Sequence, residues 1–356
     1  MKIGITKLIK ENIASPNAES LAIFDDNGKK ICNVDISKMR PQNLGEKLYS
    51  FGLLSDVHCD STSNGGTTAN KNGTFFHKAL TYFEEQEVDF CCISGDLTNI
   101  GFWYYKPYEI ESQEIYLAQF NEYKMICDLH PNLPIYCCCG NHESYNKSIT
   151  ETLNELEQYT GCELTYTMTQ GNDLFIFIGQ SVGSYPMSDA DFTWLSNTLE
   201  TNKDKRCFVF IHPYIRPFND ISDSGDPLKL HLEPLFTYWG VEKTNAFIDL
   251  MKSYPKAILF HGHSHMDFEN QFLIENANYS TVLGFKSIHI PSTAYTRNVS
   301  TGEIVKYEDG AQGYICDVYD NCIVLKGYDF EKGEFIPIAQ YCIDTICCND
   351  DKEVEY

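Results

Sequence analysis

The segment LYSFGLLSDVH, residues 48–58, has the pattern of a buried β-strand that ends at the polar residues Asp56 and His58. Four later apolar runs end in the same way, at Gly95-Asp96, Gly140-Asn141-His142-Glu143, His212 and Gly262-His263-Ser264-His265. One Asp-x-His pair occurs by chance in many proteins. Five such endings, all with oxygen or imidazole donors, indicate a shared site.

Short buried runs alternate with amphipathic segments from residue 48 onward. Strands are predicted at 48–54, 88–93, 135–139, 174–178, 207–211 and 257–260. Helices are predicted around 75–83, 115–129 and 241–251, and Ser188 with Asp191 forms a capping box ahead of another helix. This alternation implies a layered α/β fold, in which ligands bind at the carboxyl ends of the strands. All five motifs lie at such ends.

The two ends of the chain differ from its centre in the pattern of their predicted secondary structure. Residues 1–47 form a small N-terminal segment, with a predicted β-hairpin made by 21–24 and 31–34. After Met266, strands at 286–290, 313–319, 322–328 and 335–342 predict an antiparallel meander that extends a second sheet packed against the first. We therefore expect a main domain at 48–345 and an acidic tail at 346–356.

Composition restricts the partners. The 27 basic and 50 acidic side chains give a formal charge of −23, which repels polyanions and argues against a long nucleic-acid partner. Residues 1–20 lack a secretory apolar stretch, and the sequence contains no run of membrane-spanning length. Many of the 15 cysteines lie inside strand-like runs, as Cys91 and Cys92 do, which is typical of buried thiols. We expect a cytoplasmic protein without a membrane partner.

The motif residues suit metal chemistry. Carboxylate, amide oxygen and imidazole donors favour Mn, Fe or Zn, and their number is sufficient for two adjacent ions. Asp96 stands where a carboxylate can bridge both ions, and Asn141 can ligate without adding charge. His142, next to Asn141, would point toward substrate, so it is the candidate acid that protonates the leaving oxygen while a bridging hydroxide attacks phosphorus.

The order D-x-H, G-D, G-N-H-E, H and G-H-x-H resembles the calcineurin-like metallophosphoesterase superfamily, over residues 50–342. The resemblance implies a four-layer αββα sandwich of two mixed β-sheets flanked by helices, and hydrolysis of a phosphoester. It assigns one metal ion to Asp56, His58, Asp96 and His265. It assigns the other to Asp96, Asn141, His212 and His263, so that Asp96 bridges the pair. It makes His142 the leaving-group acid, with catalysis centred on His142 and Asp96, and makes Asn141 and His142 substrate contacts.

The loop after Asp96 narrows the substrate class. Protein phosphatases of this superfamily carry G-D-x-x-D-R-G there, whereas this chain has G-D-L-T-N-I-G. Asn99 can accept a hydrogen bond but carries no charge, Ile100 cannot bind phosphate, and a purple acid phosphatase would need Tyr at Asn99. The loop instead resembles the class III cyclic-nucleotide phosphodiesterase branch. Phosphodiesters, including nucleotides and cyclic nucleotides, are thus the first expectation, and a phosphomonoesterase or a nuclease of the same fold is the alternative.

Other histidines and an aromatic run are further candidates for substrate contacts or for structural roles. His231 and Tyr104 are candidate substrate contacts; Tyr104 belongs to an aromatic run at 102–105 that would equally suit a packed loop or a subunit interface. His77, His130, His261 and His289 are predicted to be structural. The N-terminal segment resembles the leader of prophage-encoded metallophosphoesterases, so the non-enzymatic alternative is a structural or binding protein of a phage particle that keeps the fold.

Overall fold

The computed structural model describes residues 20–24, 30–35, 44–61, 69–99, 110–144, 149–179, 187–215, 235–268, 279–281, 283–300, 303–307 and 310–345. The strands are β1 Ser20–Phe24, β2 Lys30–Asp35, β3 Lys47–Leu54, β4 Phe90–Ser94, β5 Ile135–Cys138, β6 Thr165–Gln170, β7 Asp173–Ile178, β8 Cys207–Phe210, β9 Ala257–His261, β10 Tyr279–Ser280, β11 Lys286–His289, β12 Thr296–Ser300, β13 Glu303–Tyr307, β14 Gln312–Tyr319, β15 Cys322–Asp329 and β16 Glu334–Asp344. The helices are α1 Lys71–Glu85, α2 Ile110–Asp128, α3 Asn141–Ser144, α4 Ile149–Thr160, α5 Asp189–Thr201 and α6 Leu235–Lys252.

Two six-stranded mixed sheets form the centre of the fold. The first has the order β16-β15-β14-β3-β4-β5, with β3, β4 and β5 parallel and β14, β15 and β16 antiparallel. The second has the order β10-β11-β9-β8-β7-β6, in which β11, β9, β8 and β7 are parallel and the edge strands β10 and β6 are antiparallel. The parallel strands of each sheet end in the loops that carry the motifs.

The inner faces of the sheets meet in an aromatic core. Phe51 of the first sheet stacks on Phe90 with ring centres 5.3 Å apart, and it meets Phe175 of the second sheet edge-on at 5.3 Å. Helices α1, α2 and α4 cover the outer face of the first sheet, and α5 and α6 cover that of the second. The predicted four-layer αββα sandwich is confirmed.

Most of the predicted elements are present. The six central strands lie within two residues of their predicted bounds. The capping box is present, since the Ser188 hydroxyl accepts from the Asp191 N–H over 3.0 Å and the Asp191 carboxylate accepts from the Ser188 N–H. Cys92 faces the core between the sheets while Cys91 faces the helices, as expected for neighbours in a strand. Every cysteine from Cys59 to Cys342 is a free thiol.

The prediction for the late strands was wrong in two respects. Residues 286–290 do not belong to the meander, because β11 pairs in parallel with β9 inside the second sheet. The other three strands, β14 to β16, do form an antiparallel meander, but they extend the sheet that contains β3. The strand β6 and the helix α4 were not predicted. Among the described residues, none of the helices combines the length and the apolar character needed to cross a membrane.

The terminal parts of the predicted organisation are only partly described. Strands β1 and β2 pair antiparallel, as the predicted hairpin requires. In the described part of the chain they form a two-stranded sheet of their own. The expected acidic tail lies outside the described residues, and the division at residue 47 stays a prediction.

Candidate metal centre

Loops from both sheets meet at one end of the sandwich. The loop after β3 is joined to the loop after β4, because the Asp56 N–H donates to the Gly95 carbonyl over 3.0 Å and the His58 N–H to the Asp96 carbonyl over 2.9 Å. The loop after β9 joins them from the second sheet, through the His263 N–H and Asp56 Oδ2 at 2.9 Å. The structure therefore brings together motifs that are far apart in the sequence.

The backbone is strained at this junction. Positive φ angles of 48° to 68° occur at Asp56, His58, Asp96, His263 and His265. Of the residues that the structure describes, the sole other non-glycine residue with positive φ is Glu87. A left-handed conformation costs a residue with a Cβ about 1–2 kcal/mol. Such strain persists only where the surroundings impose it, and it clusters at functional sites.

The two aspartates are buried and oriented by hydrogen bonds. Asp56 Oδ2 accepts from the Ser55 hydroxyl over 2.6 Å, which leaves Oδ1 facing His265 Nε2 at 3.0 Å. Asp96 Oδ1 accepts from the His142 N–H over 2.9 Å, while Oδ2 lies 3.0 Å from His212 Nε2 and 3.7 Å from His58 Nε2. Each carboxylate thus has one oxygen fixed by the protein and one turned to the imidazoles.

Main-chain carbonyls fix the imidazole tautomers. Nδ1 of His58 donates to the Thr98 carbonyl over 3.2 Å, Nδ1 of His212 to the Ser94 carbonyl over 2.7 Å, and Nδ1 of His265 to the Tyr295 carbonyl over 3.1 Å. A carbonyl can only accept, so the proton of each neutral ring is on Nδ1. In its neutral form each of the three rings therefore turns an Nε2 lone pair into the site.

Burial keeps most of these rings neutral. It lowers the pKa of His58 and of His265, and lowers that of His263 to about 3. His212 differs: burial opposes its charge, but the carboxylates of Asp96 and Asp56 prevail and raise its pKa to about 9. The same imidazoles hold the pKa of Asp56 and of Asp96 well below the usual range, against the effect of burial. The aspartates are therefore anionic.

The donor set fits metal ions. His58 Nε2 lies 3.2 Å from His265 Nε2, and His263 Nδ1 lies 3.2 Å from His212 Nε2. Facing nitrogen lone pairs repel each other unless a cation or a proton lies between them. Buried oxygens without a hydrogen bond from any described residue complete the set, namely Asp56 Oδ1 and Asn141 Oδ1. Ligand atoms converge in two groups, Asp56 with His58 and His265, and Asp96 with His212 and His263, and a third set, His58 with Asp96 and His142, connects them.

His142 lies at the open side of the centre. Its side chain is 23% exposed, and Nε2 is 3.8 Å from Asp96 Oδ2. Nδ1 donates to the main-chain carbonyl of Asn99 over 2.9 Å, so the partner at this position is the backbone of Asn99. Burial is the largest influence on His142 and lowers its pKa, although Asp96 acts in the opposite direction.

Sequence reasoning missed several supporting groups. Glu143 is 1% exposed and accepts hydrogen bonds from the Thr98 N–H, the Thr98 hydroxyl and the Gly140 N–H at 2.9–3.0 Å. The ring of Tyr295 stacks on His265 with centres 4.2 Å apart. Glu143 could have been found from the G-N-H-E motif, because an acid that is buried beside the other motif residues must accept hydrogen bonds from nearby donors. Tyr295 carried no such signal.

The histidines that were predicted to be structural belong to none of the ligand groups. His77 and His130 bond to each other at 2.9 Å, and His130 also bonds to Glu84 at 2.7 Å. His289 bonds to the Ser264 hydroxyl at 2.6 Å. His261 is fully buried, and neither ring nitrogen has a hydrogen-bond partner among the described residues. The candidate substrate contacts His231 and Tyr104, with the rest of the aromatic run, lie outside the described residues.

The chain is similar to several solved structures and to one family model. A dimetal phosphatase from Danio rerio is similar in structure, with 14% identity and a TM-score of 0.55, over 84% of this chain and all of that one. Yfce, a phosphoesterase from E. coli, matches over 83% of this chain and 99% of its own, at 11% identity and a TM-score of 0.34. A search of curated proteins found no match. The family model described as calcineurin-like phosphoesterase matches residues 49–267, more than half of the sequence, and the chain therefore belongs to the calcineurin-like phosphoesterase family.

Proposed function

We propose that this chain hydrolyses phosphodiesters at a centre of two metal ions. Family membership makes it a metal-dependent phosphoric ester hydrolase. The observation that carries the finer proposal is the position of Asp96, whose Oδ2 lies between His58 of one ligand group and His212 of the other. A carboxylate in that position suits a bridging ligand of two neighbouring ions.

The proposed ligands divide into two sets. Asp56, His58, Asp96 and His265 would hold one ion, and Asp96, Asn141, His212 and His263 the other. Two ions there would polarise the phosphoryl oxygens and ionise a water molecule. The dimetal phosphatase named above is a precedent of the same fold. Manganese, iron and zinc all accept these donors.

The proposed role of His142 is to protonate the leaving oxygen. Its Nδ1 is engaged by the Asn99 carbonyl, so Nε2 is the nitrogen that faces the substrate side. The fixed tautomer means that a proton at Nε2 gives the imidazolium, which can donate to a departing alkoxide. The nearby Asp96 carboxylate favours this charged form, while burial makes it a readier proton donor.

Diester specificity rests on the charge of the loop after Asp96. At neutral pH a phosphodiester carries one negative charge and a monoester carries nearly two. The loop has Asn99 where related protein phosphatases place an acid that orients the histidine, and Ile100 where they place an arginine that holds the phosphate. A monoanionic substrate needs less compensation there, and the loop resembles the cyclic-nucleotide phosphodiesterase branch.

The test compares two leaving groups. Purified protein should bind about two ions per chain and, with Mn²⁺, turn over bis-p-nitrophenyl phosphate faster than p-nitrophenyl phosphate in kcat/KM. His142→Ala should reduce kcat by about 10²–10⁴-fold on a diester with an alkoxide leaving group, such as a cyclic nucleotide. The loss should be much smaller on bis-p-nitrophenyl phosphate, because p-nitrophenolate departs without a proton.

Two results would contradict this proposal. Equal losses on both leaving groups would remove the acid role from His142, and a higher kcat/KM on the monoester would remove the diester preference. His77→Ala is the matched control, because it deletes an imidazole on α1, away from the ligand groups, and should leave kcat unchanged. A metal-free protein without turnover would favour the structural or binding role instead.

A further inference from the structure

Strand β12 lies directly beside the loop that carries His263 and His265. The Arg297 N–H donates to the His265 carbonyl over 2.7 Å, and the Arg297 carbonyl accepts from the Asp267 N–H over 2.9 Å. Because both main-chain groups of Arg297 bond to this loop, the ligand loop itself sets the position of Arg297.

Strand alternation determines which way Arg297 points. Thr296 is 2% exposed, and the Asn298 amide donates to both carboxylate oxygens of Asp267 at 2.8 and 3.1 Å. Arg297 stands between them and so points to the opposite face, which it shares with Tyr295 two residues earlier. Its guanidinium carbon lies 5.8 Å from the centre of the Tyr295 ring.

Tyr295 connects this guanidinium to the metal centre. Its ring lies nearly parallel to the rings of His265 and His58, with centres 4.2 and 5.6 Å away and interplanar angles of 24° and 29°. The Tyr295 ring thus contacts both the Arg297 guanidinium and the imidazole of His265 in the first ligand group. His142 lies on the other side of His58, with ring centres 4.5 Å apart.

An anionic substrate needs positive charge from the protein here. The chain carries a formal charge of −23, and the loop after Asp96 has Ile100 where related protein phosphatases place a phosphate-binding arginine. Guanidinium is well suited to that task, since its fork of N–H donors matches two oxygens of one phosphoryl group. Arg297 brings such a group to the centre from a different strand.

We propose that Arg297, held against Tyr295, binds the non-bridging oxygens of the phosphoryl group at the metal centre, and that it is a specificity-determining residue for anionic substrates. This assignment rests on the proposed function, because it places the phosphoryl group between the ligand groups and Arg297. Inorganic phosphate, the simplest group with the same oxygens, is a probe that does not depend on turnover.

The experiment measures phosphate binding by calorimetry on the manganese-loaded full chain. Arg297→Gln should weaken phosphate affinity by about tenfold to a hundredfold, the usual effect of removing one charge-assisted contact. KM for bis-p-nitrophenyl phosphate should rise by a similar factor while kcat and metal content change little. Arg297→Lys should recover part of the affinity, since it keeps the charge but loses the fork. Lys124→Gln, which removes one charge from the exposed side of α2, is the matched control and should leave phosphate affinity, KM and kcat unchanged.

Two outcomes would overturn the proposal. One is a phosphate affinity in Arg297→Gln within twofold of the parent. The other is a loss of metal in the Gln and Lys variants alike, which would make Arg297 a structural residue. A protein whose phosphate binding depends on Arg297 but which cleaves no phosphodiester would sustain this inference while refuting the proposed function.

Discussion

Removing the Glu143 carboxylate should loosen the two loops that it joins at the candidate metal centre. This side chain joins the loop after β4 to the loop after β5, through the Thr98 N–H at 2.9 Å, the Thr98 hydroxyl at 3.0 Å and the Gly140 N–H at 2.9 Å. Those loops carry Asp96 and Asn141. Glu143→Ala therefore leaves up to three buried donors without an acceptor.

The magnitude follows from these contacts. Each buried donor that loses its partner costs about 1–3 kcal/mol, so two or three of them give about 2–9 kcal/mol. Part of this is offset, because burial and the charge of Asp96 both raise the pKa of Glu143 and so oppose its anionic form. The lower half of that range is expected. Glu143→Gln keeps an oxygen for Thr98 but turns an amide donor toward Gly140, and should cost about 1–3 kcal/mol.

Urea unfolding in the presence of a chelator measures this cost without the contribution of bound metal. Glu157→Ala, on the exposed face of α4, is the matched control and should stay within about 0.5 kcal/mol of the parent. Metal content should fall in Glu143→Ala and stay normal in the control. If Glu143→Ala unfolds at the same urea concentration as Glu157→Ala, the carboxylate does not hold these loops and the reasoning fails.

Three further predictions concern the same region. Gly140→Ala should lose metal, because its Cβ would lie 2.1 Å from Asp96 Oδ1; metal analysis of the folded variant checks this. Manganese at a hundred times its Kd should stabilise the parent by about 3 kcal/mol in thermal unfolding, and Asp96→Asn should abolish most of that gain. Burial lowers the pKa of His289 to about 4, so the unfolded chain binds its proton first as pH falls below about 6.5. Stability should drop by about 2 kcal/mol between pH 7 and pH 5 on this account, and denaturation of chelated His289→Gln should show a smaller drop.

The central strands could be predicted from sequence for a local reason, and the candidate ligands at their ends follow from the same pattern. A strand covered on both faces is a continuous apolar run, and a motif residue at its end is visible within a few positions. That is why β3, β4, β8 and β9 were placed correctly. The motifs also indicated Asp56, Asp96 and the histidines proposed as ligands, which the structure brings together.

The strand pairings could not be predicted in this way. The segments that became β11 and β14 are both short apolar runs, yet one pairs in parallel with β9 and the other lies antiparallel beside β3. The choice depends on which edge of which sheet is available after the earlier strands have packed. Strand β6 was missed because its sequence TYTMTQ is half polar, and helix α4 was missed because Ile149–Thr160 has few apolar residues.

The main-chain carbonyls that fix the histidine tautomers could not be predicted, for another reason. The tautomers of His58, His212 and His265 are fixed by the carbonyls of Thr98, Ser94 and Tyr295, and a carbonyl belongs to every residue. Which residue supplies it depends on loop geometry alone. The partner of His142 shows the same limit, since the Asn99 backbone accepts its proton where sequence reasoning considered the side chain.

The positive φ angles of the proposed ligands explain why these loops must be held firmly by other interactions. Glycine would adopt positive φ at little cost, but glycine has no donor for a metal ion. Five ligands in that conformation together oppose folding by about 5–10 kcal/mol. Interactions that span the loops must offset this cost, among them the Glu143 hydrogen bonds and the bond from the His263 N–H to Asp56. Bound metal would add to them, because the ions hold the same side chains in place. The strain and the proposed ligand set therefore have one cause, which is that loops from two sheets must present polar side chains to a single point.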